Sequence, residues 1–159
     1  MNFAQVVQAL ADSEVEFVIV GGWSAILHGS SYTTQDLDIC FSRSRSNIKK
    51  LVKALEQFHP RLRDFPAALP FIWDEATLRN GTLFTLSTDA GSLDLLGEVL
   101  GLGDFERVQT VSIRVEAFGR QIRTLDLPAL IRAKEAAGRQ KDLAILPELK
   151  GLLEAIEPE

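Results

Sequence analysis

Apolar residues Phe3, Val6, Val7 and Leu10 recur at helical spacing and predict an amphipathic opening helix that covers a sheet. Residues 12–16 then turn the chain into a short, wholly apolar run, Phe17–Val20, with the character of a buried strand. It stops at Gly21-Gly22, and a helix is predicted over residues 23–27, ending near His28-Gly29. In Asp36-Leu37-Asp38-Ile39-Cys40-Phe41 the period is two: Leu37, Ile39 and Phe41 enter a core, while Asp36, Asp38 and Cys40 share the other side. Ser44 or Ser46 caps a further helix with the stripe Ile48, Leu51, Val52, Leu55, which ends before Pro60. Pro66 and Pro70 bracket an irregular connector, Asp74 caps a short helix over 75–79, and Asn80-Gly81 turns the chain. Residues 83–87 and 92–96 form a hairpin around Asp89-Ala90-Gly91. A second hairpin pairs the alternating run Val111, Ile113, Val115 with residues 121–124 across Phe118-Gly119-Arg120. Asp126 starts a helix with Pro128 in its first turn and the stripe Leu127, Leu130, Ile131, Ala137. After the break at 138–142, a last helical segment buries Leu143, Leu146, Leu149, Leu152, Leu153 and Ile156, with Pro147 as a kink or restart.

Two of these elements carry candidate chemistry. The glycine pair lets a ligand approach the backbone, and the helix start behind it presents N–H groups suited to phosphate. Asp36 and Asp38, held side by side, repel each other unless a proton or a hard divalent cation lies between them. Asp94 interrupts the apolar run Leu93, Leu95, Leu96, where an acid needs a reason. Lys134 falls on the apolar stripe of its helix, so it either snorkels to the edge or meets a phosphate or one of the three Asp residues.

Composition narrows the field. The 159 residues fit one domain, and 46% hydrophobic with 25% charged residues describe a globular protein without an apolar run of membrane-spanning length. Met1-Asn2-Phe3-Ala4-Gln5 lacks a basic leader and an apolar signal core, so a cytoplasmic location is expected. Cys40, the single cysteine, is expected to fill a strand position. The net charge of −5 argues against coating of the whole surface by nucleic acid. Locally, however, Arg43, Arg45, Lys49, Lys50, Lys53, Arg61 and Arg63 face one acid, Glu56, which describes either a solvated helix face or a track for phosphates.

Gly21-Gly22, thirteen further residues and then Asp36-Leu37-Asp38-Ile39 resemble the signature of the DNA polymerase β-like nucleotidyltransferase superfamily. The intervening His28-Gly29 and Thr34-x-Asp36 look most like the small prokaryotic members related to toxins of type IV toxin–antitoxin systems. Lys134, Arg139 and Lys141-Asp142 resemble the C-terminal motif of the same group. Two positions depart: many relatives have Gly-Ser at the turn, and many carry arginine where Tyr32 stands, which removes a phosphate contact.

The resemblance implies an α/β nucleotidyltransferase fold, a mixed twisted sheet with flanking helices and a C-terminal helical segment. One domain would span 1–159, with a core over about 1–125 and helices over about 126–157. It also implies metal-dependent transfer of a nucleoside monophosphate from a triphosphate, ATP among them, to a hydroxyl of RNA, protein or a small molecule, releasing pyrophosphate. Asp36, Asp38 and Asp94 would be catalytic and would hold two Mg²⁺ or Mn²⁺ ions. Gly21, Gly22, Ser24, Thr34, Lys134, Arg139 and Lys141 would bind the nucleotide, while His28 orders its turn. Implied partners are the triphosphate, a tRNA or protein acceptor and a cognate antitoxin, with no membrane. The Tyr32 departure motivates an alternative, a noncatalytic nucleotide-binding or protein-interaction module of the same fold.

Overall fold

A computed structural model describes residues 2–66 and 69–156. In chain order the elements are α1 (Phe3–Asp12), β1 (Phe17–Val20), α2 (Gly21–Leu27), β2 (Asp36–Phe41), α3 (Arg45–Leu55), a 3-10 turn (Glu56–Phe58), β3 (Arg61–Leu62), α4 (Glu75–Arg79), β4 (Leu83–Thr88) and β5 (Gly91–Leu96). There follow β6 (Glu98–Val99), β7 (Gly103–Asp104), α5 (Phe105–Thr110), β8 (Ser112–Ala117), β9 (Arg120–Leu125), α6 (Leu127–Ala137) and α7 (Gln140–Ile156). Seven strands make one mixed sheet in the order β3-β4-β5-β2-β1-β9-β8, parallel at β2/β5 and β1/β9 and antiparallel elsewhere.

All four residues of β1 are buried because both faces of the sheet are covered. On one face Phe17, Ile19, Leu37, Ile39 and Phe41 pack with Val6 and Leu10 of α1 and Ile48 and Leu51 of α3. On the other, Val18, Val20 and Cys40 pack with Phe105 and Val108 of α5, Leu130 of α6 and Ile145 and Leu149 of α7. Cys40 therefore lies on the same side as Asp36 and Asp38, as the strand period requires, but beneath helices: burial above all pushes its thiol up to about 12.

The helices begin where side-chain caps form. Ser44 accepts from the N–H of Asn47, Asp74 from Thr77, Asp104 from Arg107 and Asp126 from Ala129. Several boundaries differ from the sequence expectation. α2 starts at Gly21 rather than Trp23, β3 lies within the stretch left without structure, and β6, β7 and α5 fill residues 98–110, for which no element was predicted. α7 runs unbroken through Pro147, which stands on its exposed side, so the backbone hydrogen bond that proline deletes lies toward water. Its buried stripe is Asp142, Ile145, Leu146 and Leu149; Leu143 (50% exposed) and Ile156 (66%), both expected inside, face outward. Among the described residues no helix is long and apolar enough to cross a membrane.

Candidate active site

The parallel pairing of β2 with β5 sets Asp38 directly beside Asp94 and Asp36 beside Ser92, so one sheet face carries all three carboxylates. On the other flank Asp38 pairs with Val20, the last residue of β1, which brings the start of α2 against it. Gly21 leaves the strand with φ +67°, and a Cβ there would overlap the Asp38 carboxylate. Gly22 is constrained differently: a Cβ would lie 2.7 Å from the Tyr32 ring and 3.0 Å from Thr34 Cβ. The loop over 30–35 thus closes onto the first turn of α2, and Thr34 Oγ1, 3.2 Å from the Asp36 amide nitrogen, accepts its hydrogen. No side chain caps α2, which leaves its first-turn N–H groups without a side-chain partner.

Asp38 carries the electrostatic tension of the site. Its Oδ1 is buried without a hydrogen-bond partner. Burial first, then the charges of Asp94 and Asp36, push its pKa up to about 7 against the opposing pull of Lys134. Asp94 is relieved by a residue not singled out as a site candidate: Arg63 Nη2 donates to Asp94 Oδ1 at 2.7 Å and to the Leu86 carbonyl at 2.8 Å. Among the described residues no three His, Cys, Asp or Glu side chains are spaced as ligands of one metal. The carboxylates share a face, but they are not drawn in to a common centre.

Opposite them, α6 and the turn into α7 deliver the basic groups. Lys134 is 8% exposed and lies 3.2 Å from Asp142 Oδ1 and 5.9 Å from the centre of the Tyr32 ring. Its carboxylate partner in this structure is Asp142, rather than any of the three sheet carboxylates. Arg139 donates to the same carboxylate through Nε at 2.6 Å, and through its backbone N–H and Nη2 at 3.2 Å each. Asp142 is fully buried; burial opposes its ionisation, yet the hydrogen bonds from Arg139 and Lys134 hold it below the usual carboxylate range. A cavity of about 140 Å³ lies between the two halves, lined by Gly21, Asp38, Lys134, Arg139 and Asp142 on its polar side and by Leu96, Val99, Leu100 and Leu130 on its apolar side.

Other sequence candidates stand apart from this cavity. Ser24 is fully buried, its Oγ 2.7 Å from Thr124 Oγ1. Lys141 is exposed and lines a separate hollow with Tyr32 and Glu148. His28 Nε2 donates to the Leu125 carbonyl at 2.6 Å and so fastens the end of α2 to β9. The exposed Lys49, Lys50 and Lys53 ride on α3, which covers the sheet face opposite the carboxylates.

A strand–Gly-Gly–helix unit followed by an Asp-x-Asp strand, with a third Asp in register on the neighbouring strand, defines a class: the fold is that of the DNA polymerase β-like nucleotidyltransferases. Within that class the sequence profile of the aminoglycoside-2''-adenylyltransferase family matches residues 2–62, less than half of the chain. Similar solved structures include a candidate nucleotidyltransferase from Thermotoga maritima, at 18% identity and TM-score 0.59 over 94% of this chain and 90% of that one. The lincosamide antibiotic adenylyltransferase LnuA, solved with lincomycin bound, has 15% identity and TM-score 0.61 over 92% and 93%. ANT(2'')-Ia in complex with adenylyl-2''-tobramycin has 16% identity and TM-score 0.57 over 96% and 93%. No curated protein matches the chain in sequence.

Proposed function

We propose that this protein transfers a nucleoside monophosphate from a nucleoside triphosphate to a hydroxyl of a small molecule, with release of pyrophosphate. The observation that carries the reading is the buried Asp38 carboxylate, its orphan oxygen and raised pKa placed between Asp36, Asp94 and the glycine turn. A carboxylate in that condition calls for a cation, and the all-oxygen donor set suits Mg²⁺ or Mn²⁺. Asp36, Asp38 and Asp94 would hold two such ions. When bound, the ions supply counter-charge to the phosphate oxygens. The acceptor oxygen forms a bond to the α-phosphorus, the bond from that phosphorus to the β-bridging oxygen breaks, and pyrophosphate leaves. Asp94 takes the acceptor's proton. Gly21, Gly22 and the first turn of α2 hold the outgoing phosphates, and Lys134 and Arg139 balance their charge across the cavity. Thr34 keeps the 30–35 loop against Gly22.

Two arguments favour a small acceptor. LnuA and ANT(2'')-Ia, structurally similar, are seen with lincomycin and an adenylylated tobramycin. The lysines that would track a nucleic acid sit behind the sheet from the carboxylates. A tRNA or protein acceptor, and with it a toxin held by an antitoxin, has less to recommend it on that geometry.

A second reading, nucleotide binding without turnover, draws on Arg63 already occupying Asp94 and on Tyr32 in place of an arginine. One experiment separates them. Purified protein is incubated with each α-labelled ribonucleoside triphosphate, Mg²⁺ or Mn²⁺, and separate pools of aminoglycosides, lincosamides, RNA and protein. Label in a small-molecule product, abolished in D36A/D38A, supports the enzyme; label in no acceptor despite calorimetric binding of a triphosphate overturns it in favour of the binding module.

A further inference from the structure

Of the seven basic residues between positions 43 and 63, Arg63 is the one hydrogen-bonded to the carboxylate face. Its place follows from the sheet: the Arg63 N–H donates to the Thr85 carbonyl at 2.8 Å, and Thr85 is the cross-strand partner of Asp94. The manner of the contact differs from that of the Arg120–Asp12 ion pair. Arg120 grips Asp12 with two donors, Nε to Oδ1 at 2.7 Å and Nη2 to Oδ2 at 3.0 Å. Arg63 touches one oxygen of Asp94 through Nη2 alone, shares that nitrogen with the Leu86 carbonyl, and leaves its Nε–H buried without a partner. The guanidinium is thus held both by the backbone at Leu86 and by one charge-assisted hydrogen bond to the acid, and it does not engage the second carboxylate oxygen.

We propose that Arg63 stands in for a divalent cation at Asp94: its guanidinium neutralises the carboxylate while the site is metal-free and gives it up when the ion enters, so that Arg63 sets how tightly the site takes its metal. The inference rests on the carboxylate site proposed above. Arg63 is on this account a positioning residue, retained at Leu86 after release, and its positive charge then stands beside the site without blocking it.

The test is Mn²⁺ titration followed by electron paramagnetic resonance, which counts free ion and needs no turnover. R63Q removes the competing charge, and since a partly exposed ion pair no longer has to be broken, it should bind Mn²⁺ about tenfold more tightly than the wild type. Its melting temperature should fall in EDTA and recover in Mn²⁺. Should R63Q fail to fold, the wild type carries the test by itself: the side-chain NMR signal of Arg63 should shift and lose its restricted rotation as Mg²⁺ is added. Equal or weaker Mn²⁺ binding by folded R63Q, or an Arg63 signal indifferent to Mg²⁺ that binds, overturns the inference and leaves the functional reading standing. Absence of Mn²⁺ binding by both wild type and R63Q overturns the functional reading together with it.

Discussion

Replacing Asp38 with asparagine should make the metal-free protein more stable in alkaline solution, and less markedly so in acid. Folding removes the Asp38 carboxylate from water and sets it beside Asp94 and Asp36, with Lys134 offering partial compensation, so the proton is held up to about pH 7 rather than 3.8. Between those values the folded chain keeps a proton that the unfolded chain has released. The contribution of this group to stability is therefore greatest below pH 3.8, falls as pH rises towards about 7, and stays at its lower level beyond. A displacement of about three pK units corresponds to a full loss of about 4 kcal/mol, a ceiling because neighbouring carboxylates titrate with it. Of that, about 2 to 3 kcal/mol should appear between pH 5 and pH 8.

The side chain introduced by D38N has no charge to lose, and its amide can donate to a neighbouring carboxylate, so the variant escapes the penalty. Urea unfolding followed by circular dichroism, in EDTA at pH 5 and pH 8, measures the difference directly. The stability gain of D38N over wild type should be larger at pH 8 by about 2 kcal/mol. On the proposed function Mg²⁺ should close the gap by stabilising the wild type, which would bind it, more than the variant. A D38N protein no more stable than wild type at pH 8, or one whose gain is as large at pH 5, would refute the reasoning, because neither burial nor repulsion would then be governing this carboxyl.

Four further substitutions probe the surroundings. Gly21→Ala combines a left-handed backbone with a collision against Asp38 and should cost about 2 kcal/mol or more together with most nucleotide affinity; Gly119→Ala, at φ +75° with nothing within 4 Å of the added carbon, should cost only about 1 kcal/mol in the same urea assay. Asp142→Ala leaves Lys134 buried and unpaired, so it should lose about 3 kcal/mol and weaken calorimetric triphosphate binding, since Lys134 and Arg139 both lose their anchor. Ser24→Ala should lower the unfolding midpoint by the equivalent of about 1 kcal/mol while triphosphate affinity stays within about twofold, because its hydroxyl serves Thr124 inside the fold.

Much of the fold could be read from local pattern because its strands are short and strictly alternating or wholly apolar. Phe17–Val20, Asp36–Phe41 and the hairpin around 89–91 emerge from periodicity alone, and Asp74 and Asp126 cap the helices that their positions announced. Residues 98–110 were silent for a physical reason. Two-residue strands have no period to detect, and α5 buries only Phe105 and Val108, a pair that no window distinguishes from a loop; the Asp104 cap was the one available signal. The last helix was misphased because an apolar stripe drawn through every leucine ignores where the helix begins. Started at Gln140, it buries Asp142 and Ile145 and turns Leu143 out.

The site divides along the same line between local and nonlocal information. Asp36 and Asp38 on one face, the glycine turn beside them and the inward lysine of α6 are consequences of spacing within single elements. What joins them is not. Arg63 reaches Asp94 only because β3, β4 and β5 register Arg63, Thr85 and Asp94 in one row, a relation across 31 residues that no local window contains. Lys134 meets Asp142 across the Gly138 turn, eight residues on, a partner that the sequence did not offer beside the phosphate, the sheet carboxylates and the snorkelling it left open. The consequence is electrostatic. Three cationic side chains around the site are bonded to carboxylates other than Asp38, Arg63 to Asp94 on the sheet, Lys134 and Arg139 to Asp142 at the cavity, and Asp38 keeps a buried oxygen without a partner. The metal-free chain thus leaves a buried carboxylate oxygen of Asp38 without a partner, beside the glycine where there is no room for a side chain, so that on the proposed function a divalent ion and the phosphates it carries would complete the site there.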